Sequence, residues 1–95
     1  MSHEPLRTAV LISGRGSNLK AIIDAIAAKR LDMCIVMVIS SRADAAGIAF
    51  AQAAGVPVTV ISQKSYADRA SHDAAVNAAI EAARAQLIVL AGYMR

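Results

Sequence analysis

Short, nearly continuous apolar runs recur along the chain, and their alternation with amphipathic stretches restricts the fold more than any other feature. They read TAVLIS at residues 8–13, CIVMVIS at 34–40, VPVTVIS at 56–62 and LIVLAG at 87–92. Runs this short, rich in β-branched residues and without polar alternation, have the pattern of strands covered on both faces in a parallel sheet.

The segments between them carry helical periodicity. Leu19, Ile22, Ile23 and Ile26 fall on one stripe, with Lys20 and Asp24 off it. Lys29 and Arg30 are expected at the C-terminal end of that helix, where cations complement the dipole. Asp44 is expected to cap a second, alanine-rich helix around Ile48 and Phe50, which Gly55 ends. A third is expected to begin near Ser65 or Tyr66, carry Val76, Ala79, Ile80 and Ala83 on one face, and reach about Ala85.

The order βαβαβαβ predicts an α/β fold, an open parallel Rossmann-like sheet with right-handed crossovers. The strand order 3-2-1-4 is expected, because the long third connection can carry the chain back across the first strand. Two helices then cover one face and one covers the other, leaving the fourth strand at an edge.

Composition limits what such a fold can bury. The hydrophobic fraction is 57%, yet much of it is alanine, and there is no Trp, one Phe and two Tyr. Core volume must come from Val, Ile, Leu and Met. At 95 residues the chain is one domain that buries only about 60–65% of its unfolded surface. The net charge is +3, and the basic residues are scattered from Arg7 to Arg95 without a run. That disfavours nucleic acid as a partner and suits small anions.

Cys34 is the only cysteine, so an intramolecular disulfide is excluded. Its plainest role is that of a small buried hydrophobe in a reducing cytoplasm. MSHEPLR lacks the basic start and apolar core of a signal peptide. No apolar stretch approaches the roughly 18 residues of a membrane span.

Chemistry concentrates at the end of the first strand. Gly14, Gly16, Ser17 and Asn18 stand where that strand meets the first helix. A helix N-terminus presents free N–H groups and partial positive charge, and glycine lets an anion approach the backbone without a Cβ in the way. A plain strand-to-helix turn with a Ser or Asn cap is the simpler alternative. A Walker loop is excluded because the required Gly-Lys-Ser/Thr is absent. The dinucleotide fingerprint needs a third small residue where this chain has Leu19. Ser41 and Arg42, after the second strand, would suit a 2′-phosphate and keep an NADP-type binding half-domain as the alternative. His3 lies in a tail expected to be disordered, and His72 is expected to be a surface or half-buried histidine. No Ser/His/Asp set, carboxylate pair or metal spacing is evident.

VLISGRGSNLKAIIDA, ISSRADAAGIAFAQAAGVP, SYADRASHD and LIVLAGYMR, in this order, resemble the N-terminal half of the glycinamide ribonucleotide transformylases, also called phosphoribosylglycinamide formyltransferases. The resemblance runs over residues 6–95. It implies transfer of a formyl group from 10-formyltetrahydrofolate, as cosubstrate, to phosphoribosyl-glycinamide in purine biosynthesis, with no metal. It further implies that Gly16, Ser17 and Asn18 bind the substrate phosphate and that Arg69, Met94 and Arg95 border the folate. Sister enzymes that use formyltetrahydrofolate share the fold, but the Gly-Ser-Asn triplet favours the glycinamide substrate. The family's catalytic Asn, His and Asp have no match here. Residues 1–95 are therefore expected to be a phosphate-binding half, inactive alone, that self-associates through its exposed sheet edge or uncovered face.

Overall fold

The computed structural model describes residues 5–93. His3, Met94 and Arg95 lie outside the described residues. The chain forms β1 (Leu6–Ile12), α1 (Ser17–Ala27), β2 (Met33–Ser40), α2 (Gly47–Ala53), β3 (Val58–Val60), a 3₁₀ turn (Gln63–Ser65), α3 (Arg69–Ala82) and β4 (Leu87–Leu90). The strands form one parallel sheet in the order β3-β2-β1-β4, as the pattern predicts.

The two faces carry separate cores. Val10, Ile12 and Val38 pack with Leu19 of α1 and Ala51 of α2 on one side. Ala9, Leu11 and Ile39 pack with Val76 and Ile80 of α3 on the other. Both cores converge on β1, whose alternate residues serve opposite faces and are sealed from solvent from Thr8 to Ile12. Each large side chain fully buried there stabilises the fold by about 1.5–3 kcal/mol.

Element ends depart from the sequence pattern where local chemistry overrides periodicity. β3 is only three residues long. Pro57, just before it, has no N–H and enters the sheet as an acceptor alone, receiving the Val38 amide at 2.9 Å. α3 starts later than its apolar stripe suggests because Asp68 is its N-cap, with Oδ1 accepting from the Ser71 amide at 2.8 Å. The 3₁₀ turn includes Ser65, one of the two residues near which that helix is expected to begin, and Tyr66 lies between the turn and the helix.

Asp44 does not cap α2. Its carboxylate instead takes two hydrogen bonds from the Arg42 guanidinium, both at 3.0 Å, and Ala46 is the capping position. Lys29 and Arg30 lie beyond α1 rather than in its last turn. Lys29 has φ 61 and stands where α2 uses Gly55, with φ 74. In both helices paired amides then return to the last turn: Lys29 to Ile26 and Arg30 to Ala25, Gly55 to Gln52 and Val56 to Ala51.

Two side chains sit opposite to expectation. Cys34 is exposed, because it lies in the N-terminal part of β2, whose sealed residues come only at its far end. His72 is 2% exposed. Its Nε2–H donates to the Ile61 carbonyl at 2.9 Å, and the Tyr66 ring meets it edge-on at 5.7 Å. That bond satisfies the polar edge of the imidazole and allows it to be buried like an apolar group.

Candidate functional site

Parallel strands place every strand-to-helix loop at the C-terminal ends of the strands, so residues distant in sequence are gathered there. The loop after β1 contains Gly14, Arg15 and Gly16. Beside it runs the loop after β2, beginning at Ser41. The hydroxyls of Ser13 and Ser41 are 2.6 Å apart and buried, and the Ser41 amide donates to the Ile12 carbonyl at 3.0 Å. These contacts join the ends of β1 and β2 beneath the glycine turn.

Gly16 is the N-cap of α1, with φ 76 and ψ 15, and no side chain caps the helix. This conformation is strained for residues with a Cβ. The helix offers no acceptor to the amides of its first turn, and Ser17 and Asn18 are exposed there. The turn therefore presents backbone donors and two polar side chains to solvent, a geometry suited to an anion. A Ser or Asn cap, the simpler reading, is not what the chain forms.

Steric demands at Gly16 come from inside the protein. A Cβ at this position would overlap the Gly47 Cα and lie 3.0 Å from the Gly47 nitrogen. Gly16 must consequently be glycine for packing against α2 as well as for any ligand. Sequence reasoning overlooked Gly47; its isolation among the alanines of DAAGIAFAQAA was the available signal.

Leu19 is 0% exposed and belongs to the core, which explains why the third position of a dinucleotide fingerprint is filled by a large residue. Arg42, which an NADP-type site would need for a 2′-phosphate, is engaged by Asp44. That pairing holds the Asp44 carboxyl below its usual pKa.

Arg69 begins α3, on the other face of the sheet from α1 and α2. With Tyr66, Ala67, Asp68 and His72 it lines a cavity of about 230 Å³. The His72–Ile61 hydrogen bond ties this part of α3 to the segment just beyond β3. The predicted residues thus form two groups at the C-terminal end of the sheet: Gly16, Ser17 and Asn18 on one face, Arg69 on the other. Among the described residues no group of three or more His, Cys, Asp or Glu side chains could hold a metal. Among the described residues no helix is long and apolar enough to cross a membrane.

The Formyl transferase family matches residues 6–95. The chain is 45% identical over 97 residues to the trifunctional purine biosynthetic protein adenosine-3 of Drosophila melanogaster, covering all of this chain and 7% of that protein. It is 40% identical over 89 residues to the phosphoribosylglycinamide formyltransferase of Haemophilus influenzae, covering 94% of this chain and 42% of that one. The crystal structure of glycinamide ribonucleotide transformylase 1 from Symbiobacterium toebii superposes with a TM-score of 0.93 at 40% identity. That match covers 99% of this chain and 44% of the other. The chain therefore spans less than half the length of each of these relatives.

Proposed function

The chain belongs to the formyl transferase family, and from that premise we propose that residues 1–95 form the substrate-phosphate half of a phosphoribosylglycinamide formyltransferase. The observation that carries the proposal is the Gly16 turn: a positive-φ glycine opening α1, with no side-chain cap, at the strand ends where open α/β sheets hold ligands. Gly16, Ser17 and Asn18 bind the phosphate of phosphoribosyl-glycinamide. Each charge-assisted N–H bond would contribute about 1.5–3 kcal/mol.

The formyl donor in this reading is 10-formyltetrahydrofolate. The cavity beside Arg69, about 230 Å³, is smaller than the roughly 300–1,000 Å³ of a complete small-molecule site. It suits one end of such a molecule, and the Arg69 guanidinium suits an anionic end. When bound, the folate supplies the formyl carbon. Transfer of that carbon to the glycinamide amine would form a new C–N bond and break the one to folate N10, releasing tetrahydrofolate, and would require a hydrogen-bond donor for the developing oxyanion and a group to take the amine proton. Residues 1–95 have the tasks of binding and orientation. Engagement of Arg42 by Asp44 favours this reading over an NADP-type site.

Calorimetric titration of the chain with phosphoribosyl-glycinamide, inorganic phosphate and NADPH tests the reading. Tightest binding of phosphoribosyl-glycinamide, weakened by Ser17→Ala and Asn18→Ala, is the expected result. Preference for NADPH, or indifference to both substitutions, would overturn it.

A further inference from the structure

We propose that Gly47, the first residue of α2, is a positioning residue that sets the shape of the phosphate-binding turn by direct backbone contact with Gly16. The inference rests on the reading of that turn as the phosphate site.

Gly47 meets the turn in two ways. Its amide donates to the Gly14 carbonyl at 3.1 Å. Its Cα faces the backbone of Gly16 so closely that a Cβ on Gly47 would lie 2.9 Å from the Gly16 Cα and 3.4 Å from its nitrogen. The same Cβ would stand 2.8 Å from Ile12 Cδ1, at a side chain that is itself 0% exposed. Space alone demands glycine here. Unlike Gly16, Gly47 has no positive φ, and alanine is the better helix former.

Any added methyl must therefore move something. α2 is held in place by Ala51, 0% exposed and packed in the core with Val10, Leu19 and Val38. Close-packed cores resist displacement, whereas Gly16 belongs to a short turn. The displacement falls on Gly16 and so on the amides of Ser17 and Asn18, whose directions determine how well a phosphate is held. Gly47 acts through the turn and touches no ligand itself.

The test is calorimetric binding of ribose 5-phosphate to the 95-residue chain, with a thermal melt and amide NMR spectra of each variant. Gly47→Ala is expected to lower affinity about tenfold or more, the effect of misaligning one charge-assisted bond, and to shift the Gly16, Ser17 and Asn18 amides. Ala53→Gly, which weakens α2 at an exposed position and leaves both Gly47 and the Ala51 anchor in place, is expected to keep wild-type affinity. If Gly47→Ala does not fold, the double variant Ile12→Val with Gly47→Ala removes the Cδ1 contact and retains the one with Gly16; it is expected to show the same loss. Wild-type affinity in the folded Gly47 variant overturns the inference, as does an equal loss in Ala53→Gly. A wild-type chain that does not bind ribose 5-phosphate overturns the phosphate-site reading and this inference together, and is thereby distinguished from failure of the Gly47 contact alone.

Discussion

The guanidinium of Arg7, near the start of β1, donates through Nη2 to the carbonyl of Ala83 at 2.7 Å, closing the C-terminal end of α3. Its Nε donates to the adjacent Arg84 carbonyl at 3.0 Å. The backbone adds a second link, with the Gln86 amide donating to the Arg7 carbonyl at 2.7 Å and the Arg7 amide to Gln86 Oε1 at 3.0 Å. One arginine thus satisfies two helix-end carbonyls and places positive charge at the negative end of the helix.

Arg7→Ala is accordingly expected to destabilise the chain by about 1–2 kcal/mol, from the dipole and hydrogen-bond contributions together. Urea denaturation measures the loss, and hydrogen exchange should place it in the last turn of α3. Unchanged protection at Ala83 to Gln86 would show that the contact contributes nothing.

Leu19→Ala would bring the glycine loop nearer to the dinucleotide fingerprint, yet it is expected to cost about 2–5 kcal/mol, since Leu19 is fully buried between α1 and the sheet. Thermal unfolding checks this. A melting temperature equal to that of the wild type would remove Leu19 from the core described above.

Lys29 holds φ 61 at the end of α1, a conformation costing an L-residue about 1–2 kcal/mol. Lys29→Gly is expected to raise stability by up to about 1 kcal/mol, the relief being partly offset by the greater freedom of glycine in the unfolded chain.

Acid should weaken α3 at its N-terminus. Hydrogen bonding to the Ser71 amide holds the Asp68 carboxyl below its ordinary value of 3.8. A depressed folded-state pKa gives stability that is fully present above the unfolded value and is lost as pH falls through the folded one. The loss therefore begins as pH drops past 3.8 and is complete below the folded-state pKa. Asp68→Asn, which keeps a capping oxygen, should flatten this part of the pH–stability curve; an unaltered curve would assign the acid sensitivity to other groups such as Asp44.

β4 is paired only with β1 among the described strands, and Ile88 and Leu90 on it are 48% and 65% exposed. An apolar strand edge of this kind favours pairing with another copy. Light scattering of the purified chain at high micromolar concentration is expected to report a mass above 9.9 kDa. Ile88→Lys with Leu90→Lys should lower it. A monodisperse monomer in the unsubstituted chain would rule out self-association.

Much of the architecture is legible in the sequence. Apolar runs located all four strands, and the long connection before β4 supplied the strand order. The stripes through Leu19 and through Val76 and Ile80 identified the faces that reach the core. Boundaries were less legible because single residues set them: Asp68 delays α3, and Pro57 shortens the third strand. His72 misled because a histidine reads as polar until the Ile61 carbonyl that satisfies it is brought alongside. Cys34 misled for the opposite reason, since an apolar run does not disclose which of its ends the helices leave uncovered.

The sequence by itself determined a βαβαβαβ chain with a glycine turn at the start of its first helix, because periodicity and glycine act over a few neighbouring residues. Only the tertiary structure decided what that turn rests on. Gly16 and Gly47 are thirty-one positions apart, and the crossover that brings their backbones together is a property of the folded sheet. Neither local pattern contains that contact, yet it decides which residues can occupy both positions.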